Sequence, residues 1–206
     1  MEFIIISFLI YLIGSVPFGL IIGKTFYNKD LREYGSKNIG ATNAYRVLGV
    51  VPALIIFLAD AFKGSLGVWL GLSFNETVPL YAILGGIFAI AGHNWSLFLK
   101  FKGGKGVASG LGVIAMLVPK VTAIVLILWI AITAVTRYVS LASVVAAFMV
   151  PVLTYYFDYA VEYLYFAVLA AIFVIYKHKE NIYRLINGTE LKINSKKCQV
   201  LFNIKI

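Results

Sequence analysis

The chain has 206 residues, 61% of them apolar and only 13% charged, and 18 Lys and Arg against 9 Asp and Glu give a formal net charge of +9. A soluble domain carries roughly a quarter charged residues, so this composition, with a mean hydropathy of +0.91, excludes an ordinary soluble domain and points to an integral membrane protein. The single cysteine, Cys198, excludes an internal disulfide and a Cys-cluster metal site. No polar region is long enough for a separate soluble domain, so residues 1–206 read as one membrane domain, an all-α polytopic helix bundle.

In chain order, the N-terminal MEFIIISFLIYLIGSVPFGLIIGK has an acidic residue where a signal peptide needs a basic region. Its apolar run is also too long for a signal peptide's central segment, so it reads as a first membrane span. Apolar stretches follow at 51–72, 79–99, 106–119, 121–136, 139–157 and 161–176. A span needs about 17–25 residues, and three of these are short. Charge decides how they thread. With a break at Pro119-Lys120, seven spans place Lys24, Lys29, Arg32, Lys37, Arg46, Lys100, Lys102, Lys105, Arg137 and the tail from Lys177 to Lys205 on one side. Glu2, Glu76, Lys120, Asp158 and Glu162 fall on the other. The positive-inside rule then predicts seven transmembrane helices, with the N-terminus outside and the C-terminus in the cytoplasm. A re-entrant pair over 106–136 keeps the same sidedness and stays open.

Three cytoplasmic motif segments stand out, at 24–50, 92–110 and 177–190. The first contains REYGSKNIGATNAYRVLG, with Ser36, Thr42, Asn43 and Arg46 among glycines. The second contains GHNWSLFLKFKGGKGVASG, with His93, Asn94, Gly103, Gly104 and Lys105. The third contains KHKENIYRLINGTE, with His178 and Asn181. Glycine-rich backbone at a helix N-terminus makes an anion site, because unpaired N–H groups and the helix dipole both favour negative charge. Arginine adds a bidentate fork and lysine a compact charge. These segments therefore read as walls of a phosphate site at the membrane surface.

Plainer readings stand beside that one. Inner-face lysines follow from topology alone, and Gly106 with Gly110 forms a GxxxG that serves close helix packing. GGKG is not a nucleotide-binding P-loop, since Leu99 and Gly106 occupy the positions that need Gly and Ser/Thr. His93 and His178 read either as structural hydrogen-bonding residues or as substrate contacts. On a helix, His178 and Asn181 share a face and could grip a hydroxyl. Two histidines without a carboxylate or cysteine cluster give no metal set. Asp60 and Lys63, one turn apart inside the second span, read first as an internal ion pair that holds the bundle. Ser140 and Ser143 either face the same pocket or bond back to their helix.

These three segments, in this order, resemble the bacterial acyl-phosphate:glycerol-3-phosphate acyltransferase family. GSKNIGATNAYRVLG, GHNWSLFLKFKGGKGVASGLG and KHKENIYRLINGTE carry the resemblance, with SVPFG, DAFKG and RYVSLAS beside them. Lys177 stands where the family pattern has arginine, keeping the charge without the fork. The resemblance implies acyl transfer from acyl phosphate to the 1-hydroxyl of glycerol 3-phosphate, giving lysophosphatidate and inorganic phosphate at the cytoplasmic face of the bacterial inner membrane. It implies no cofactor and no metal. The partners are the two substrates, membrane lipids and the enzyme that makes acyl phosphate, with no nucleic acid. In this frame Arg46, Lys105, Ser143, His178 and Asn181 hold glycerol 3-phosphate, and His178, Lys105, Arg46 and Asn181 are the catalytic set. Ser36, Thr42, Asn43, Gly103 and Gly104 cradle the acyl phosphate, His93 and Asn94 add substrate contacts, and Gly188 and Glu190 shape the turn after the last span. The chain lacks the His-x4-Asp box of other acyltransferases, since Phe98 and Tyr183 stand five residues after the histidines. A transporter for an anionic solute is the alternative class, and it would be expected to show an internal repeat.

Overall fold

The computed structural model describes residues 2–194. Met1 and residues 195–206, including Cys198, lie outside the described residues. Every regular element among the described residues is helical. The first apolar stretch is two helices, α1 (Glu2–Ser15) and α2 (Phe18–Tyr27), broken at Val16-Pro17. Proline has no N–H to continue the ladder, which strips carbonyls of their helical partners. At this break Val16 O accepts from Phe18 N at 3.2 Å and from Lys63 Nζ at 3.0 Å.

A short helix, α3 (Ala41–Leu48), sits at the surface before the long α4 (Val50–Phe74). Then come α5 (Pro79–Asn94), one 3₁₀ turn at Leu97–Leu99, and α6 (Val107–Leu117). The chain continues through α7 (Pro119–Thr136), α8 (Val139–Tyr156), α9 (Val161–Lys177) and the surface helix α10 (Lys179–Ile186). Prolines at the first turns of α5 and α7 suit a position whose N–H has no helical acceptor.

The bundle has two parts. In one, α4 packs against α1, α5 and α6, with α1 also against α5. The contacts are made by small residues. A Cβ at Gly64 would overlap the Ser109 carbonyl, one at Gly85 the Gly67 carbonyl, one at Gly71 the Tyr81 carbonyl, and one at Gly112 the Ala61 carbonyl. Backbones approach this closely where glycine lets dispersion contact replace the hydrophobic effect, which is weak between helices in lipid. In the other part, α7, α8 and α9 pack in sequence through larger apolar side chains. The parts meet over a cluster that includes Val68, Ile83, Val113, Val121, Val150 and Phe166. Many large apolar side chains remain exposed, such as Leu58, Phe62, Val135 and Leu169, the surface of a chain solvated by lipid.

Five helical runs among the described residues are long and apolar enough to cross a membrane, and a sixth is reached by taking α9 and α10 together across their 58° bend. The protein is thus an all-helical membrane protein with five to six spanning-length elements. The fourth of the seven expected spans is the one that falls short. The 11 residues of α6 cover about 16 Å at the helical rise, roughly half a hydrocarbon core. The packing role expected for GxxxG at 106 and 110 is also not what the chain uses. Gly106 is the left-handed N-cap of α6, at φ 77°, and a Cβ at Gly110 would meet nothing within 4 Å. The close packing of α6 runs through Gly112 instead.

Candidate active site

The Lys105 ammonium is the centre of one polar cluster. It donates to Asn181 Oδ1, and Asn181 Nδ2 donates to Glu190 Oε1 at 2.6 Å. The same carboxylate accepts from Ser140 Oγ at 2.8 Å and from Arg184 Nε at 2.7 Å. Three elements are tied here: the loop before α6, the first turn of α8, and α10 with the turn that follows it. Gly188, at φ 67°, reverses the chain after α10 and returns Glu190 to the cluster. Burial alone would push the Glu190 carboxyl up. The hydrogen bonds from Asn181, Ser140 and Arg184 outweigh it and hold the group below its ordinary range.

Burial pushes Lys105 down to about 8. The charges of Glu190 and Glu180 oppose that fall, while those of Arg184 and Arg46 add to it. Lys105 is therefore mostly cationic at neutral pH. His178, at the bend between α9 and α10, places Nδ1 2.8 Å from the Val174 carbonyl. A carbonyl accepts only, so Nδ1 carries the proton and Nε2 is the acceptor. Burial, and next the Lys105 charge, lower His178 to about 4. Its imidazole is neutral at pH 7.

Arg46, on the last turn of α3, donates to the Leu191 carbonyl at 2.9 Å. Tyr45 OH reaches Asn194 Oδ1 at 3.2 Å, and Ile193 N donates to Arg137 O at 2.8 Å. Residues 190–194 therefore lace α3, the α7–α8 corner and the Glu190 cluster together. Asn43 is buried inside its own loop. Its amide nitrogen lies within 3.0 Å of the carbonyls of Leu31, Tyr34 and Asn38, and its oxygen accepts from Ser36 N at 2.8 Å. That clamp fixes the loop leading to α3, while the Ser36 side chain stays exposed. Thr42 lies in the first turn of α3.

The glycine pair of GGKG is spent on packing. Gly103 N donates to Asn94 O at 3.1 Å and Gly104 N to His93 O at 3.0 Å. A Cβ at Gly104 would overlap the His93 ring, and one at Gly103 the His93 carbonyl. His93 and Asn94 thus form a bed beneath the segment that carries Lys105. The α6 N-terminus just beyond has no side-chain cap. Asn94 Nδ2 and Oδ1, against Gly106, and Ser109 Oγ have no hydrogen-bond partner among the described residues.

A cavity of about 630 Å³ between the two parts of the bundle starts at Lys105, Gly106 and Ser143 and reaches Leu80 and Glu162. Along α9 it runs from Glu162 to Val174, about 18 Å at the helical rise. Its wall is almost wholly apolar. Ser143 Oγ donates to Val139 O at 2.9 Å and accepts from Trp129 Nε1 at 3.1 Å, so one polar contact marks the charged end. Lys177 points to aromatic rings, 5.2 Å from the Trp95 centroid and 5.8 Å from that of Phe173. A compact ammonium suffices for that contact.

The structure thus gathers Lys105, Asn181, His178, Arg46 and Ser143 at one end of a lipid-wide cavity. His93, Asn94, Gly103 and Gly104 lie beneath as support, and Ser36, Thr42 and Asn43 belong to the segment that carries Arg46. Arg184 and Trp129 have no role in the motif reading. Glu190 figured there only as a turn residue, yet it is the hub of the cluster. The RLINGTE run carried the only signal, a basic and an acidic residue six apart around a glycine turn.

A cluster of cations at the mouth of an apolar cavity suits a membrane protein that handles anionic groups beside acyl chains. A family model described as Glycerol-3-phosphate acyltransferase matches residues 4–188. The chain belongs to that family. It is 46% identical to a glycerol-3-phosphate acyltransferase of Fusobacterium nucleatum over 193 residues, 93% of this chain and 98% of that one. One from Carboxydothermus hydrogenoformans is 41% identical, over 94% of this chain and 98% of its own. Among solved structures, the glycerol 3-phosphate form of PlsY, an integral membrane glycerol 3-phosphate acyltransferase, aligns with a TM-score of 0.89 at 34% identity, over 98% of this chain and 100% of that one. The lysophosphatidic acid form aligns with a TM-score of 0.85 at 33% identity, over 93% and 95%. Acyl transfer to glycerol 3-phosphate is the activity of this chain, and the transporter reading gives way to it.

Proposed function

We propose that the chain moves a fatty acyl group from acyl phosphate to the 1-hydroxyl of glycerol 3-phosphate at the cytoplasmic face of the bacterial inner membrane. The observation that carries the reading is the junction of the Lys105–Asn181–Glu190 cluster with the apolar cavity. One substrate is water-soluble and doubly anionic, and the other carries an acyl chain. A cationic mouth on an apolar slot accommodates both.

In the proposed reaction the glycerol hydroxyl attacks the acyl carbonyl, the carbonyl–oxygen bond to phosphate breaks, and the hydroxyl proton leaves with the phosphate. Acyl phosphate is already activated, so no covalent enzyme intermediate is required. A general base works best with a pKa near the working pH. Burial and the Lys105 charge push His178 down to about 4, further from that range than a free imidazole. Its Nε2 instead accepts a hydrogen bond from a glycerol hydroxyl and aims it, and the donor phosphate takes the proton. Lys105, Arg46 and Asn181 hold the glycerol phosphate, Ser143 sits at the carbonyl end of the slot, and the uncapped α6 N-terminus with Ser36 and Thr42 faces the donor phosphate. Much of the rate then comes from positioning and charge neutralisation.

The proposed topology has seven passes, with the N-terminus outside and the C-terminus inside. Arg46, Lys105, Arg137 and Arg184 meet at one end of the bundle through the contacts above. Phe3, Phe74 and Tyr81 cluster at the other, with ring centroids within 5.2 Å. In this scheme α6 leaves the basic end and α7 returns to it, with α6 as the short member of the pair.

The test is purified protein with labelled glycerol 3-phosphate and either palmitoyl phosphate or palmitoyl-CoA, following lysophosphatidate. Product with palmitoyl phosphate alone is expected. Product with palmitoyl-CoA alone overturns the donor.

A further inference from the structure

We infer that Asp60 and Lys63, buried in α4, are positioning residues for Lys105, acting through the His93 ring. The inference rests on Lys105 being a substrate-phosphate contact, as proposed above.

Asp60, Lys63 and His93 are 3%, 2% and 5% exposed. Lys63 Nζ lies 2.8 Å from Asp60 Oδ1 and donates at 3.0 Å to the Val16 carbonyl at the Pro17 break. It also sits 5.6 Å from the centroid of the Phe18 ring. Asp60 Oδ1 has a second neighbour, His93 Nδ1 at 3.5 Å. The opposite edge of the same ring, Nε2, abuts Gly104, where any Cβ would overlap it. The His93 carbonyl meanwhile accepts from Gly104 N. His93 is therefore the residue in contact with both the buried ion pair and the loop, and Lys105 is the next residue along.

A bare ion pair does not account for this arrangement. Replacing a buried pair by apolar residues is often neutral or stabilising, so holding helices together does not require one here. A strut does require it. The imidazole must be fixed in one orientation by a group on its far side, because the loop it supports has no side chains of its own at 103 and 104. The carboxylate of Asp60 faces that edge as a charge contact at 3.5 Å, without a hydrogen bond to Nδ1, and Lys63 holds the carboxylate at the α1–α2 break. The first span, α4, α5 and the Lys105 loop are thus linked by three side chains.

The test compares wild type with Asp60→Asn, Asp60→Asn/Lys63→Met and His93→Gln in one detergent, measuring Tm, kcat and both KM values. A displacement of about 1 Å at a reacting group can cost on the order of 100-fold. Asp60→Asn should therefore lower kcat/KM about 10- to 100-fold and also lower Tm, since it leaves Lys63 buried without its partner. The double variant, free of uncompensated charge, should recover Tm but not kcat/KM. That split is the signature of positioning. Recovery of both, or an unchanged kcat/KM in Asp60→Asn, reduces the pair to scaffolding and overturns the inference. Should the Asp60 variants fail to fold, His93→Gln keeps the ion pair and decides alone. Lowered kcat/KM at near wild-type Tm supports the inference, and wild-type kinetics overturn it. If wild type works only with another donor, the donor proposal fails, while the variant ratios measured with that donor still judge the inference.

Discussion

The two parts of the bundle are built by opposite rules. Around α4, small residues bring backbones into direct contact, and a single added methyl at Gly64, Gly71 or Gly85 has nowhere to go. Around α7–α9, branched and aromatic side chains such as Leu126, Val150, Phe166 and Ala170 form one wall of the slot, facing Ile83, Ile90 and Ile114 of the first part. The first part carries the Lys105 loop on a stiff platform, and the second completes the apolar slot beside it. A catalytic ammonium needs fixed geometry and an acyl chain does not. The difference in packing therefore matches a difference in the work proposed for each part.

The contrast can be broken at its most sensitive point first. Lys105→Met removes the ammonium while keeping an apolar stem, and should lower kcat/KM about 1000-fold, the scale of deleting a main electrostatic contact. Lys105→Arg sharpens the same point through pH. Lys105 is charged below about 8 and neutral above, so wild-type kcat/KM should fall as pH rises through 8. Arginine stays charged throughout, so that limb should flatten. A variant whose limb stays at 8 would assign it to another group.

Arg46→Ala comes next and should raise the KM for glycerol 3-phosphate about 10- to 100-fold, the worth of one charged hydrogen bond. An unchanged KM removes Arg46 from substrate binding and leaves it as the anchor of Leu191. Gly110→Trp fills the slot from the α6 side. It should cost long-chain donors about 10-fold relative to short ones, and loss of all chain lengths equally would mean the slot is not where the chain lies. The smallest effects compare a tightly packed glycine with an open one within the first part. Gly64→Ala should destabilise by about 1–3 kcal/mol through overpacking, and Gly110→Ala should stay within about 0.5 kcal/mol, both read as thermal midpoints in detergent. Equal shifts would mean that the backbone contact at Gly64 is not tighter than the open site at Gly110.

Charge and motif order showed in the chain itself which residues would gather. Arg46, Lys105, His178 and Asn181 lie on three segments far apart in sequence, and they meet. Composition gave the membrane class, but the first span was expected as one run, and its break at Val16-Pro17 came only with the structure. The fourth span was not legible, because an apolar run of fourteen residues looks alike whether it crosses a bilayer or stops halfway. GGKG misled in detail. A glycine pair before a lysine suggests N–H groups turned to phosphate, yet those of Gly103 and Gly104 end on the carbonyls of α5.

What the sequence determined alone is therefore local and additive: hydropathy, the sign and side of charge, and the residue types able to bind phosphate. Each follows from the chemistry of a few neighbouring residues. What only the tertiary structure decided is which groups are already committed to one another. Glu190 becomes a hub because a turn at Gly188 returns it to Asn181 and Arg184, and Asn43 becomes a loop clamp because three carbonyls converge on it. Asp60 gains His93 as a second neighbour only because α4 and α5 pack glycine to glycine. Hydrogen-bond capacity belongs to the residue, but its use is set by which partners the folded chain brings within reach.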